Sequence, residues 1–507
     1  MIARELIATA LVLAGSIALA QAPARPPVDV KADTTWTGEV TVDSAVRVSG
    51  ATLTVAPGAK VMFLPGGSIS ILWGGSLIAQ GTKEKPVVIS GGKTGTISCH
   101  GARFLLEFCD ISDLGGRYGI DAAPGKDGVV IRDSSLRNSS GVSVSLSGPF
   151  VIARSRVENV KEGLRCGGKG SATFAENTFL GCGFAMGSGA EGTARGNVVI
   201  RGTIGGWDTD KLLVENNYVH QPEAKGTYGL SGICGKVRDN IIRGGSWVTA
   251  GLGGEITCNI LISLPHEEAR KKEGGYDGNC THEHLCGLAP KSLVARNIFV
   301  GASYGAVMGI GDNTCSDSVI RNNTFDMRGV GQAIFLNHLP KTDPKNIVVR
   351  SNLFIRSGSV LSEKAVPDST TVVDYSLWAD SGLGKGGRFE NLTMTGKTPG
   401  EGDFGGHDVP AYAKRSEPLN AADVVVNPDI VFPFTDDDML SRKHTVTECL
   451  ELYRKAYSPK KGSPAIDAGS PADKDDPAVT DGRCDIGAVE FVNPTTRPAT
   501  SSAASGK

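Results

Sequence analysis

The sequence lacks a charge bias. Its 52 basic side chains face 54 acidic ones for a net charge of −2, which excludes the bulk basic field used to hold nucleic acid or an anionic membrane. After residue 20 it also lacks any apolar run approaching the ~20 residues of a membrane-spanning helix. Aromatic residues are scarce, at 6%, so an extensive core must be mainly aliphatic. The 67 glycines follow no G-X-Y period, which excludes collagen. They point instead to tight turns and closely stacked backbone, the composition of a solenoid.

What is present begins with an export signal. Arg4 precedes the apolar run "LIATALVLAGSIALA", and Ala18-Leu19-Ala20 supplies small residues for cleavage. Residues 1–20 are therefore expected to be a signal peptide that directs the chain to the periplasm or the extracellular space. No cysteine stands at the cleavage point to carry a lipid anchor. Residues 21–34 read as a Pro-rich lead-in, and 492–507 as a disordered tail.

The dominant feature is an internal repeat. Cys109, Ser134, Ser155, Asn177, Asn197, Asn216, Asn240, Asn259, Asn297, Asn323 and Asn352 each stand two places before an apolar residue, at spacings of 19 to 38 with most near 20. A short alternating piece such as "GVVIRD", "KLLVEN" or "NIVVRS" precedes each one. A floor near 20 residues is too short for a helical-hairpin repeat and fits one coil of a parallel β-helix. Stacked asparagines can both donate and accept, so Asn177, Asn197, Asn216, Asn240, Asn259, Asn297, Asn323 and Asn352 are read as a structural ladder at a bend. The expected fold is all-β: a right-handed, single-stranded parallel β-helix over 35–375, of roughly 12 to 14 coils. Residues 376–491 would form a C-terminal loop-and-helix cap that includes an amphipathic helix from Thr445, started by a Thr445–Glu448 capping box.

At these residues the chain resembles the pectate-lyase-like superfamily of parallel β-helix proteins. The opening "TLTVAPGAKVMFLPGGSISILWGGSLIAQGTKEKPVVIS" and the ending "GSPAIDAGSP" with "CDIGAVEF" are similar to segments of bacterial exported members. The resemblance implies the fold. It does not choose among the lyases, hydrolases, epimerases and non-catalytic proteins that share it. The "WIDH" and "RxPxxR" patterns of pectate lyases are missing, as are the paired-aspartate and Gly-His-Gly motifs of polygalacturonases.

The strand after each ladder turn gives a candidate site. Its first inward position is read as Ile120, Val144, Leu164, Phe184, Ile204, Leu230, Val248, Leu285, Ala306 and Ile334. The outward neighbours are mostly tiny, with Trp207, Trp247 and His284 standing among them. Longer connections, such as the 26 residues from Asn259 to Leu285, would wall this floor into a cleft. Its tryptophan faces suit sugar rings, which makes a polysaccharide the expected partner of a monomeric chain, with neither nucleic acid nor a membrane span involved. Elimination on a uronate polymer needs a base, a cation over the carboxylate and an acid for the leaving oxygen. His284, Tyr228, Tyr304, Lys341 and Arg165 are the candidates for those roles. Trp207, Trp247, His220, His282, Asp312, Asn337 and His338 are the candidate substrate contacts. Hydrolysis would instead draw on Asp208, Asp210 or Asp312, and a non-catalytic adhesion protein is the rival class.

The stretch "CTHEHLCG" at 280–287 places Cys280, His282, His284 and Cys286 at one parity. That donor set suits zinc, although export favours a disulfide from Cys280 to Cys286 or Cys315, with Cys449 and Cys484 as C-terminal candidates. No cofactor is fixed by the sequence. Calcium is the one other ion suggested, by the acidic run "TDDDM" at 435–439.

Overall fold

The computed structural model describes residues 25–491 apart from 124, 188, 207–209, 223–227, 234, 245–246, 251–253, 264–283, 302–304, 311–314, 329–331, 338–344, 358, 364–369, 381–386, 389–391, 396–418, 474–475, 477–478 and 480–482. Three long sheets run the length of the molecule, with 15, 16 and 16 strands, and each strand pairs with the strand three places on in sequence. Pairing is parallel throughout, save for two short antiparallel strands, Gly387–Arg388 and Leu392–Thr395, that cover the last edges of the third and second sheets. Every turn of chain therefore lays one strand on each sheet, as the expected all-β solenoid requires. Among the described residues coiling starts at Val28–Val30, which pairs with Ala45–Val48, so part of the stretch expected as a loose lead-in is a strand of the first sheet.

Alternation dictates the core. In Thr52–Val55, Ser68–Ile71 and Ser76–Gln80 every second residue is buried, and these residues stack on their counterparts one coil away. Further along, the inward column of the third sheet becomes aromatic: Phe299, Phe325 and Phe354 stack with centroids 4.8 and 5.3 Å apart.

The ladder forms one bend. Asn177 Nδ2 donates to Asn197 Oδ1 at 3.0 Å, and the series continues through Asn217, Asn240, Asn259, Asn297, Asn323 and Asn352 at 2.9–3.0 Å. Ser155 and Ser134 extend it toward the N-terminus and Ser376 toward the C-terminus. One rung differs from expectation, because Asn217, and not Asn216, carries the ladder. The residue before each rung adopts a left-handed conformation, as at Glu176 (φ 57°), Asp239 (φ 54°) and Arg296 (φ 57°), and Asn216 (φ 55°) fills that slot. Its amide turns outward, where Thr447 Oγ1 donates to it at 3.3 Å. Asparagine tolerates the left-handed region better than most residues, so the "NN" pair divides the two tasks.

The third sheet changes character partway along. Its early strands alternate, as in Cys109–Ser112 and Thr178–Leu180, but Val198–Ile200, Leu353–Ile355 and Leu377–Ala379 are buried on both faces. The C-terminal cap covers this outer flank through α1 (Ala421–Val424), α2 (Asp436–Leu440) and α3 (Val446–Tyr457), which share a second apolar cluster with those strands. Thr445 and Glu448 form the expected capping box of α3. Ion pairs fasten the segment that follows: Asp473 takes Arg350, Asp476 takes Arg296 and Arg321, and Glu490 takes Arg296. None of the described helices is long and apolar enough to cross a membrane.

Nine cysteines are described, and no disulfide forms among them. Cys449 packs against Met439, and Cys484 lies buried near the Ser470 carbonyl, so neither of these C-terminal disulfide candidates is in a disulfide. Cys286 is likewise free, and Cys280 lies outside the described residues.

Candidate functional site

The first sheet provides the small-residue floor, with a register that differs from expectation in three coils. Ile120 stands opposite Val142, not Val144, and Val142 opposite Leu164. Thr249 faces Gly287, and Cys286, Val307 and Ile334 are successive partners, so Cys286 and Val307 take the column expected for Leu285 and Ala306. Leu285, Cys286, Ala306 and Val307 are all buried. Period 2 therefore carries no facing information in those strands. Cys286 lies wholly in the core, and burial pushes its thiol up to about 12, the opposite of what a thiolate zinc ligand needs.

A groove of about 400 Å³ opens where third-sheet strands turn into the first sheet. Its floor is Gly163, Gly183, Gly202 and Gly205, and its charged rim is Lys161, Glu162, Arg165 and Arg201. Coil stacking imposes the glycines. A Cβ on Gly202 would overlap the Cys182 carbonyl, one on Gly183 would overlap Thr203, and one on Gly163 would lie 2.6 Å from the Gly183 oxygen. The open floor thus follows from packing as well as from any ligand. Arg165 Nη2 meets Glu162 Oε2 at 3.3 Å, a half-exposed pair of small energetic weight.

Support for this groove comes from the cap. The Arg201 amide donates to the His220 carbonyl at 2.9 Å, and Gln221 Nε2 donates to the Gly202 carbonyl. His220 Nδ1 lies 2.7 Å from Asp436 Oδ1 on α2, and Tyr218 Oη donates to the same carboxylate at 3.1 Å. Burial alone would raise the Asp436 carboxyl, but His220, Tyr218 and Arg243 hold it below its ordinary value. His220, expected on the cleft, is therefore a buried joint beneath the cap; its Nε2 finds no partner among the described residues.

The same contacts reassign the "TDDDM" acids. Asp438 completes the α2 capping box with Thr435 and pairs with Lys443, while Asp436 serves the joint. The run opens a helix, with two of its three carboxylates engaged by neighbouring side chains.

The other candidates separate into groups. Tyr228 pairs with Trp247, and His284 opens the next strand, opposite Gly305, so the backbone brings these three to the leading edge of consecutive strands. Arg165 lies three strands from Tyr228 and five from His284 in the order of the first sheet. At the usual strand spacing these separations are roughly 14 and 24 Å. Arg165 and His284 therefore do not meet over one sugar bond. Asn337 closes its strand opposite Ile310. Trp207, Tyr304, Lys341, His282, Asp312 and His338 lie outside the described residues, as does Asp208; Asp210 is described and exposed. Sequence reasoning missed Lys161 and Arg201. Their signal was a basic residue one or two places before the corner glycine, in "KEG" and "RGT".

Residues 80–219 match the family model described as the right handed beta helix region. The chain is a right-handed parallel β-helix. No curated protein matches it. Among solved structures it is similar to pectate lyase Pel9A (12% identity, TM-score 0.29, covering 86% of this chain and 88% of that one). It is also similar to the periplasmic alginate epimerase AlgG (13%, 0.27, 66% and 73%) and to the tailspike protein of E. coli bacteriophage HK620 (13%, 0.24, 70% and 69%).

Proposed function

We propose that this is an exported β-helix protein that binds an acidic polysaccharide across the glycine-floored groove. The observation that carries the reading is the charge of the groove wall: among the described lining residues Lys161, Arg165 and Arg201 stand against one carboxylate, Glu162, beside Gly163, Gly183, Gly202 and Gly205. Carboxylates or sulfate esters of a polymer would meet these cations, while its rings approach the bare backbone. Elimination would take place further along the same face, at the edge shared by Tyr228, Trp247 and His284, with His284 as base and Tyr228 as acid.

The roughly 24 Å between the strands of Arg165 and His284 favours a second reading, a surface protein that holds the polymer without cleaving it. One screen separates the two. Uronate-containing and sulfated polysaccharides are offered, and binding, unsaturated-sugar absorbance and new reducing ends are followed. Absorbance indicates a lyase, reducing ends alone a hydrolase, and binding with neither the non-catalytic reading. Absence of binding across the panel would refute the polysaccharide reading.

A further inference from the structure

A second polar cavity, about 460 Å³, lies at the opposite corner of the third sheet, lined by Arg154, Ser155, Arg156, Glu176, Thr178 and Arg442. It sits at the start of the adjacent strands Arg156–Glu158 and Thr178–Leu180. The groove begins just past the ends of the same strands, at Val160 to Glu162 and at Cys182 to Gly183. Six residues of chain separate Ser155 from Lys161, which spans at most about 22 Å. The outer face between the cavities is a ledge that carries Arg156, Glu158, Thr178 and Leu180. The next strand, Val198–Ile200, is buried on both faces, so the ledge ends at the edge of the cap.

Arg442, in the turn between α2 and α3, brings the cap to this cavity. Its Nη1 donates to the Gly196 carbonyl at 2.7 Å and its Nη2 to the Asn177 carbonyl at 2.9 Å. Arg154 is held bidentately by Asp133, and Arg156 by Glu158. Arg442 has no carboxylate within ion-pair distance among the described residues, unlike Arg454 of α3, which has Asp239 and Glu451. The cavity thus offers a guanidinium that makes no direct ion pair among the described residues, with the Glu176 carboxylate as its electrostatic neighbour, and the Thr178 hydroxyl. These groups suit the acid and the neighbouring hydroxyls of one sugar residue.

We propose that this cavity is a distal subsite for the same acidic polysaccharide, which crosses the ledge transversely to the solenoid axis from the groove to Arg442. The inference rests on the polysaccharide reading of the groove. The cap then builds one wall of the binding surface, and affinity grows with chain length until both cavities are filled.

The test is calorimetric titration of the full chain with size-fractionated oligogalacturonides. Wild type should tighten with length up to the oligomer that reaches both cavities. Arg442→Gln and Thr178→Val should weaken the long oligomers about 5- to 10-fold and leave the shortest unchanged. Lys161→Gln should weaken all lengths. Thr178→Val removes one hydroxyl and keeps β-propensity, so it tests the subsite even if Arg442→Gln loosens the cap. If Lys161→Gln weakens binding but the cavity variants match wild type at every length, the subsite is refuted and the groove stands. If wild type binds neither these oligomers nor size-fractionated oligomers of any other polymer in the panel, both fall.

Discussion

Asn216 and Asn217 are chemically identical neighbours, and the structure assigns them very different energies. Asn217 is fully buried; its Oδ1 accepts from the backbone and side-chain amides of Asn197, and its Nδ2 donates to Ala194, Glu215 and Asn240. Asn217→Ala removes these bonds and strands the Asn197 donors in a dry interior. At about 1 kcal/mol per net bond, plus the penalty for unsatisfied buried groups, the cost is about 3–5 kcal/mol. Asn216→Ala loses one surface bond and places alanine in the left-handed region, for about 1–2 kcal/mol. The two variants should therefore differ by about 1–4 kcal/mol in urea unfolding followed by circular dichroism. Equal midpoints, or a larger loss from Asn216→Ala, would refute both the ladder assignment and the division of tasks in the "NN" pair.

Other outcomes follow from the same contacts. Asp436→Asn should weaken cap docking and raise amide exchange at residues 201–203, which are held through His220 and Gln221; unchanged exchange there would sever the proposed joint from the groove. Burial pushes the Asp485 carboxyl up to about 7. Since its folded value lies above the unfolded one, near 3.9, its contribution is most favourable at low pH and is lost as pH rises through about 4 to 7. Asp485→Asn should flatten that part of the stability profile, and an unaltered slope between about pH 4 and 7 would contradict it. Burial also holds the thiols of Cys166, Cys286 and Cys449 near 12. They should resist a thiol reagent in the native protein and react on unfolding.

The coil period and most rungs of the ladder are legible in the sequence because each rung is an asparagine tied to one turn geometry. The slip at Asn216 arises because spacing alone cannot tell which amide of a pair takes the left-handed slot. The register errors at Val142, Cys286 and Val307 have a related cause: where adjacent residues are all buried or all tiny, alternation carries no phase. The flank covered by the cap was legible in a way that went unused. Third-sheet pieces such as "VVI", "ILI", "IFV", "LFI" and "LWA" have no polar alternate residue, the mark of a strand covered on both faces. The joint at His220 was not legible, since its partner Asp436 lies 216 positions away.

The ladder has a consequence for how such a chain can change over generations. Asn240 reaches Asn259 across 19 residues with a bond of 2.9 Å, and Asn259 reaches Asn297 across 38 with one of 3.0 Å. The rungs count turns of the solenoid, and the number of residues between them is immaterial. Loop closure grows only slowly with length, so segments can be inserted or exchanged between rungs while every coil keeps its place. A scaffold of this kind can acquire new surface chemistry by trading loops without renegotiating its interior.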